Sequence, residues 1–161
     1  MTALYTKAYE IAQAGHAGQF RKNGTTPYFT HPIAVAKYVE EDYRREHGGG
    51  ELAAIYEDIL EMYLVVAIAH DLIEDVPEAT IDGFAEQLRP YGSAMQIAEI
   101  KEALDLVTKK QGESYFKYLE KLKEHHMARY VKLRDLRHNM SDLPEGKQLD
   151  KYRLAEYYLT H

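Results

Sequence analysis

Three short stretches of this chain hold side chains from which a hydrolytic metal centre could be built. His70-Asp71-Leu72-Ile73-Glu74-Asp75 sets one imidazole and three carboxylates directly after the apolar run Met62 to Ala69. That run is apolar on every face and reads as a buried helix. Unpaired charges at the edge of a core are costly unless a cation or a metal compensates them. A solvated helix end is the plainer alternative, with Asp71 and Asp75 simply reaching water. Carboxylates at a helix C-terminus gain nothing from the macrodipole, however, because that end favours Lys, Arg or His. Glu74 and Asp75 therefore point to a functional need.

The second stretch runs from Val131 to Met140. Leu133, Leu136 and Met140, with Leu143 beyond, recur at intervals of three and four and are the expected core stripe of a helix. Asp135 and Asn139 flank that stripe on consecutive turns, which suits one metal ligand and one ligand-binding amide; a polar boundary pair has the same spacing. In the third stretch, Phe20 to Pro32, the adjacent cations Arg21 and Lys22 open a loop punctuated by Gly24 and Pro27, and His31 stands at the start of the next helix. Singly each stretch has a structural explanation. Together, His31, His70, Asp71 and Asp135 offer two imidazoles and two carboxylates from three helices. Such a mixed nitrogen and oxygen set suits Mn, Fe, Co or Zn better than Ca or Mg, and it leaves positions for water and substrate.

The elements that must position these groups are all helical. Leu4, Ala8 and Ile11 form a first stripe, and Thr30 is the expected N-cap of a second helix carrying Ile33, Val35, Ala36 and Val39 up to Gly48–Gly50. A third pattern spans about Leu52 through Leu72 and stops before Pro77. Thr80 is expected to cap a short helix through Leu88. Further segments cover about Ala94 to Val107, Ser114 to Glu124, Ala128 to Leu143 and Leu149 to Leu159, divided by Gly112 and by Pro144 with Gly146. The expected fold is all-α, a compact multi-helix arrangement with residues 1–161 as one domain.

Composition bounds the function. A hydrophobic fraction of 45% with 29% charged residues is that of a fully folded globular protein. The net charge of −6 argues against a broad grip on duplex nucleic acid, while a few local cations still permit a small anionic ligand. The lack of cysteine removes disulfides and thiolate metal sites and suits a reducing cytoplasm. Met62 to Ala69 is too short to span a bilayer, and Met1 to Gln19 lacks the apolar centre of a signal peptide, so a soluble, internal protein with no membrane partner is expected.

The residues carry a resemblance. His31, His70-Asp71 and Asp135 resemble the H…HD…D signature of the HD phosphohydrolases. Within that superfamily the chain is similar to the hydrolase domain of the RelA/SpoT stringent-response family. The similarity rests on Arg21-Lys22-x-Gly24, Pro27-Tyr28 and His31-Pro32, on His70-Asp71-x-x-Glu74-Asp75, and on Val131-Lys-Leu-x-Asp135-x-x-His138-Asn139-Met140. It implies an all-α HD-domain fold and one Mn²⁺ held by His31, His70, Asp71 and Asp135. It also implies removal of the 3′ pyrophosphate from guanosine tetra- or pentaphosphate. Glu74 and Asp75 match the acidic pair beside the attacking water, Arg21 and Lys22 match cations near the nucleotide, and Asn139 matches a residue near the nucleoside. The chain departs from the family in a longer interval from His31 to His70, with a polar insert near Glu40 to Glu51. It also reads Leu136-Arg137 after Asp135, where Arg-Leu or Lys-Leu is commoner.

The expected chemistry is thus metal-assisted hydrolysis, with Glu74 orienting or deprotonating the water and Asp75 assisting or protonating the leaving oxygen. Two alternatives stay open at this point. One keeps the metal and changes the substrate to a nucleoside monophosphate or an adenosine analogue; the other is a non-catalytic binding module with a structural metal. His47, His125, His126 and His161 are expected at the surface, and His16 and His138 in supporting roles.

Overall fold

The computed structural model describes residues 2–49 and 52–161. Among the described residues there are nine helices and no named strand: α1 (Ala3–Gly15), α2 (Thr30–His47), α3 (Ala53–Ala69), α4 (Leu72–Asp75), α5 (Ile81–Leu88), α6 (Ala94–Val107), α7 (Tyr115–Glu124), α8 (His126–Ser141) and α9 (Lys147–Thr160). The centre is α3. Its C-terminal half, Val65-Val66-Ala67-Ile68-Ala69, has no exposed surface, as a stretch apolar on every face requires. Helices α1, α2, α6 and α8 pack around it.

Local chemistry sets most helix starts. The hydroxyls of Thr80 and Ser114 accept from the backbone N–H groups of Gly83 and Lys117, and Ser93 with Gln96 forms a reciprocal capping box. The start of α2 differs from expectation. Its N-cap is Phe29, and Thr30 is already helical, its hydroxyl donating backward to the Pro27 carbonyl at 2.7 Å. The loop before it turns at Gly24, where φ is +72°, and closes with a single antiparallel bridge between Phe20 and Pro27. This bridge delivers Tyr28 and His31 to the centre of the molecule as one unit.

The third helix is also interrupted. Rather than continuing to Leu72, α3 ends at Ala69, and the single turn α4 begins after His70 and Asp71. The break lets His70 and Asp71 project together. The last turn of α1 approaches closely here: a Cβ on Gly15 would lie 2.5 Å from Leu72 Cδ1. On α8 the buried face is Met127, Ala128, Tyr130, Val131, Asp135 and Leu136, whereas Leu133, Met140 and Leu143 are only partly buried. Asp135 is therefore inside the buried face, not beside it. The polar insert is helical as far as His47; Gly50 and Glu51 lie outside the described residues. Within it, Asp42 is buried against Arg134 of α8, and Arg44 reaches Glu57 of α3 through two nitrogens at 2.8 and 2.9 Å.

Candidate metal centre

Helix α2 contributes His31 from its first turn, the α3–α4 break contributes His70 and Asp71, and the middle of α8 contributes Asp135. The two imidazoles face each other with their Nε2 atoms 3.3 Å apart. Asp71 Oδ2 lies 3.4 Å from His31 Nε2 and 3.2 Å from His70 Nε2, and Asp135 Oδ1 lies 3.0 and 3.5 Å from the same two atoms. One donor atom from each of His31, His70 and Asp71 falls within a 4.8 Å cluster, and Asp135 approaches that cluster through both imidazoles. Donors about 2.0–2.2 Å from a shared ion stand about 2.8–3.6 Å apart in tetrahedral or octahedral arrangements, so the separations among His31, His70 and Asp71 fit one small divalent cation, with Asp135 outside that three-residue cluster but against both imidazoles.

The hydrogen bonds behind the donors hold them in binding form. His70 Nδ1 donates to the Ala67 carbonyl at 2.7 Å, which leaves the Nε2 lone pair of the neutral ring turned inward. His31 Nδ1 lies 2.7 Å from His138 Nδ1; with its Nε2 lone pair facing the cluster, His31 is the donor and His138 the acceptor. Tyr28 donates its hydroxyl to Asp71 Oδ2 at 2.7 Å. Asp135 is held at both oxygens, Oδ1 by the Asn139 amide nitrogen and Oδ2 by Lys132 Nζ, each at 2.6 Å.

The electrostatics of the site favour positive charge beside the two carboxylates. Burial opposes protonation of His70, but the carboxylates of Asp71 and Asp135 outweigh it and push the imidazole up to about 10. Burial likewise works against ionised Asp71 and Asp135, yet the neighbouring cations hold both carboxyls well below the usual range: His70 dominates for Asp71, and Lys132 for Asp135. Burial and the Asp71 charge push the Tyr28 hydroxyl up, so it stays a donor. A bound cation would take over the compensation that a protonated imidazole supplies in its absence.

Glu74 and Asp75 stand on α4 at the rim, both exposed. Burial raises both carboxyls, and Asp71 raises them further; Lys132 offsets part of this for Glu74. The expected substrate contacts are less concentrated. Arg21 pairs with Asp142 at 3.1 Å, and its charge helps hold the His138 imidazole down. Lys22 is exposed in the loop and makes no ion pair or hydrogen bond among the described residues. Asn139 turns its amide nitrogen onto Asp135, supporting a donor more directly than it lines a ligand cleft.

Sequence reasoning gave no role to Tyr28 and Lys132. Each lies three residues before a donor, His31 and Asp135 respectively, and that spacing was the available signal. His16, expected in a support, is 2% exposed and packs on Tyr28 with ring centroids 5.0 Å apart.

No family model matches the chain. It is 33% identical over 159 residues to "GTP pyrophosphokinase rsh" of Brucella ovis, a match covering 96% of this chain and 19% of that protein. It is 31% identical over 157 residues to "Bifunctional (p)ppGpp synthase/hydrolase SpoT" of Escherichia coli K12, covering 92% and 19%. The chain thus spans about a fifth of the length of these curated relatives. A solved structure described as a metazoan ortholog of SpoT that hydrolyzes ppGpp superposes with a TM-score of 0.66 at 19% identity, covering 99% of this chain and 84% of that one. Along nearly its whole length, then, the chain resembles the RelA/SpoT hydrolase family in sequence, and its fold is the all-helical HD type.

Proposed function

We propose that the protein is a metal-dependent phosphohydrolase that removes the 3′ pyrophosphate from guanosine tetra- or pentaphosphate, giving GDP or GTP. The observation that carries this reading is the gathering of His31, His70 and Asp71 donor atoms within 4.8 Å of one another, with Asp135 against both imidazoles and an exposed acidic pair beside them. The naming of relatives as (p)ppGpp synthase/hydrolase and 3′-pyrophosphohydrolase supports the substrate class. Residues 1–161 are taken as one hydrolase unit acting on a small nucleotide in the cytoplasm, with Mn²⁺ as the preferred ion.

His31, His70, Asp71 and Asp135 would hold the cation. When bound, a divalent ion lowers the pKa of water and steadies a phosphoryl oxygen. The remaining work falls to the chain itself. Glu74, its carboxyl raised by burial and by Asp71, is suited to orient a water and accept its proton. Asp75, raised for the same reasons, is suited to pass a proton toward the leaving oxygen. Arg21 and Lys22 would draw the phosphate chain toward the loop side, Arg21 by exchanging Asp142 for a phosphoryl oxygen. Asn139 would act at the nucleoside side while keeping Asp135 in place.

A panel of nucleotides incubated with Mn²⁺ and resolved by chromatography tests the reading. It should include ppGpp, pppGpp, an adenosine analogue and the nucleoside monophosphates. Turnover of ppGpp and pppGpp to GDP and GTP is expected. Turnover confined to monophosphates would move the assignment to a nucleotidase, and no metal-dependent turnover of any member would leave a binding module.

A further inference from the structure

The two oxygens of Asp135 are divided between different partners. Oδ1 lies among the imidazole nitrogens and accepts from Asn139, whereas Oδ2 is taken by Lys132 Nζ at 2.6 Å. The ammonium group is not a surface charge that happens to lie nearby. The Lys132 side chain is 18% exposed, that of Asp135 3%, and the ammonium stands 5.6 Å from the Tyr118 ring centroid. Tyr115, whose buried hydroxyl has no hydrogen-bond partner among the described residues, is influenced by the charges of the same pair. The Lys132 charge also reaches Glu74, whose carboxyl it holds lower than burial alone would. That charge thus acts on a donor carboxylate directly and on the carboxylate assigned to the water at longer range.

A cation here is an unexpected choice if the site exists only to attract another cation. Neutral donors such as Asn139 or Tyr28 orient a carboxylate without repelling the incoming ion. A buried ammonium does something they cannot: it holds one oxygen strongly and subtracts from the field of the site.

Resting on the reading of the site as a metal centre, we infer that Lys132 is a positioning residue that confines Asp135 to one-oxygen ligation and weakens the hold on the ion. Oδ2 is withheld, so one place on the cation is left for water or substrate. The acidic pair is not matched against an over-neutralised ion, and the ion remains exchangeable. The sign of this role separates it from a helix staple. A staple at i and i+3 steadies α8, and its loss loosens the donors and weakens metal binding. Loss of a withholding cation does the reverse, because Asp135 regains its second oxygen and a repulsive charge disappears.

The test uses Mn²⁺ alone with the full chain, in K132M, K132Q and K132R beside the unaltered protein. Affinity is read from the free-ion electron paramagnetic resonance signal, and access of water to the bound ion from water-proton relaxation. K132M and K132Q are expected to bind Mn²⁺ on the order of tenfold tighter or more, with less relaxation enhancement per bound ion. K132R, which keeps the charge, is expected to restore both. Weaker binding in the neutral variants, or tighter binding with unchanged relaxation, overturns the inference. Helix content by circular dichroism selects which neutral variant is read, and K132Q, the more soluble replacement, serves where K132M does not fold. If the unaltered protein binds no Mn²⁺, the metal-centre reading falls first and this inference with it; if it binds and the variants move the wrong way, only the role of Lys132 falls.

Discussion

Asp42→Ala removes the carboxylate that ties α2, the helix of His31, to α8, the helix of Asp135. Asp42 accepts from Arg45 at 2.5 Å, Arg134 at 3.1 Å and Arg137 at 3.4 Å. Removing one partner of a buried pair costs about 3–5 kcal/mol, whereas an exposed pair contributes about 0–1. Arg45 and Arg137, with side chains 70% and 54% exposed, belong to the second class and lose little. Arg134, 12% exposed, belongs to the first. In the variant Arg134 still has Glu46 at 3.4 Å and the Tyr130 ring, whose centroid is 3.4 Å from its guanidinium carbon. These residual partners reduce the expected loss to about 1.5–3 kcal/mol. With a urea slope of about 2 kcal/mol/M, the unfolding midpoint falls by roughly 1 M. Urea titration followed by circular dichroism measures it, and Arg134→Ala with the double variant gives the coupling. A midpoint unchanged at constant slope would show that the Asp42 tie between α2 and α8 contributes nothing to stability.

Asp71→Ala and His70→Ala should each abolish metal retention and turnover together, since the donor set has no spare member; equilibrium dialysis with Mn²⁺ beside an activity assay checks both. Glu74→Gln should keep the metal while turnover falls by ~10²–10⁴-fold, and a variant that loses metal at unchanged rate per bound ion would make Glu74 a support. Tyr28→Phe deletes the hydroxyl on Asp71 Oδ2 and should weaken Mn²⁺ binding by about 10–100-fold, opposite in sign to the neutral Lys132 variants. Burial holds the His126 imidazole below its usual 6.5, and its Nδ1 sits 2.6 Å from the Tyr63 hydroxyl. The unfolded chain binds that proton more readily, so the contribution is present above 6.5 and is lost as pH falls through that value toward the lower folded pKa. Urea midpoints between about pH 8 and 5 should therefore fall less in His126→Gln than in the unaltered protein.

Much of the fold was legible because its determinants are local. Helical period, with Thr80 as a cap, located α5, α6 and α7 to within a residue or so. The misplacements came where tertiary demands override local preference. Thr30 looks like a cap, yet the Phe20–Pro27 bridge carries the chain into helical geometry one residue sooner, and the hydroxyl turns back to Pro27. Leu52 through Leu72 reads as one helix because His70 and Asp71 carry no breaking signal; only the way both side chains meet His31 shows why it divides. The stripe on α8 was displaced for a related reason. Asp135 was assigned to the boundary because it flanks the stripe read through Leu133, Leu136, Met140 and Leu143, whereas the structure buries it between Lys132 and two imidazoles.

For the site, residue types and spacing were enough to nominate His31, His70, Asp71 and Asp135 and the rim pair Glu74 and Asp75. Hydrogen bonds behind the donors were not readable, because they depend on side-chain direction: Asn139 could face a nucleoside or Asp135 with the same spacing. Arg137 illustrates this further. Its departure from the commoner family order takes its charge to Asp42 and the Tyr38 ring on α2, so the altered order after Asp135 and the insert are parts of one contact.

Phosphorus NMR of ppGpp incubated with the Mn²⁺-loaded protein tests the central claim most directly, since it reports which bond is cut without a coupled enzyme. Loss of the 3′ diphosphate resonances with growth of intact pyrophosphate and GDP, abolished in Asp71→Ala, is the predicted result. Release of orthophosphate, loss of the 5′ diphosphate signals, or an unchanged spectrum from a protein shown to hold Mn²⁺ would contradict it.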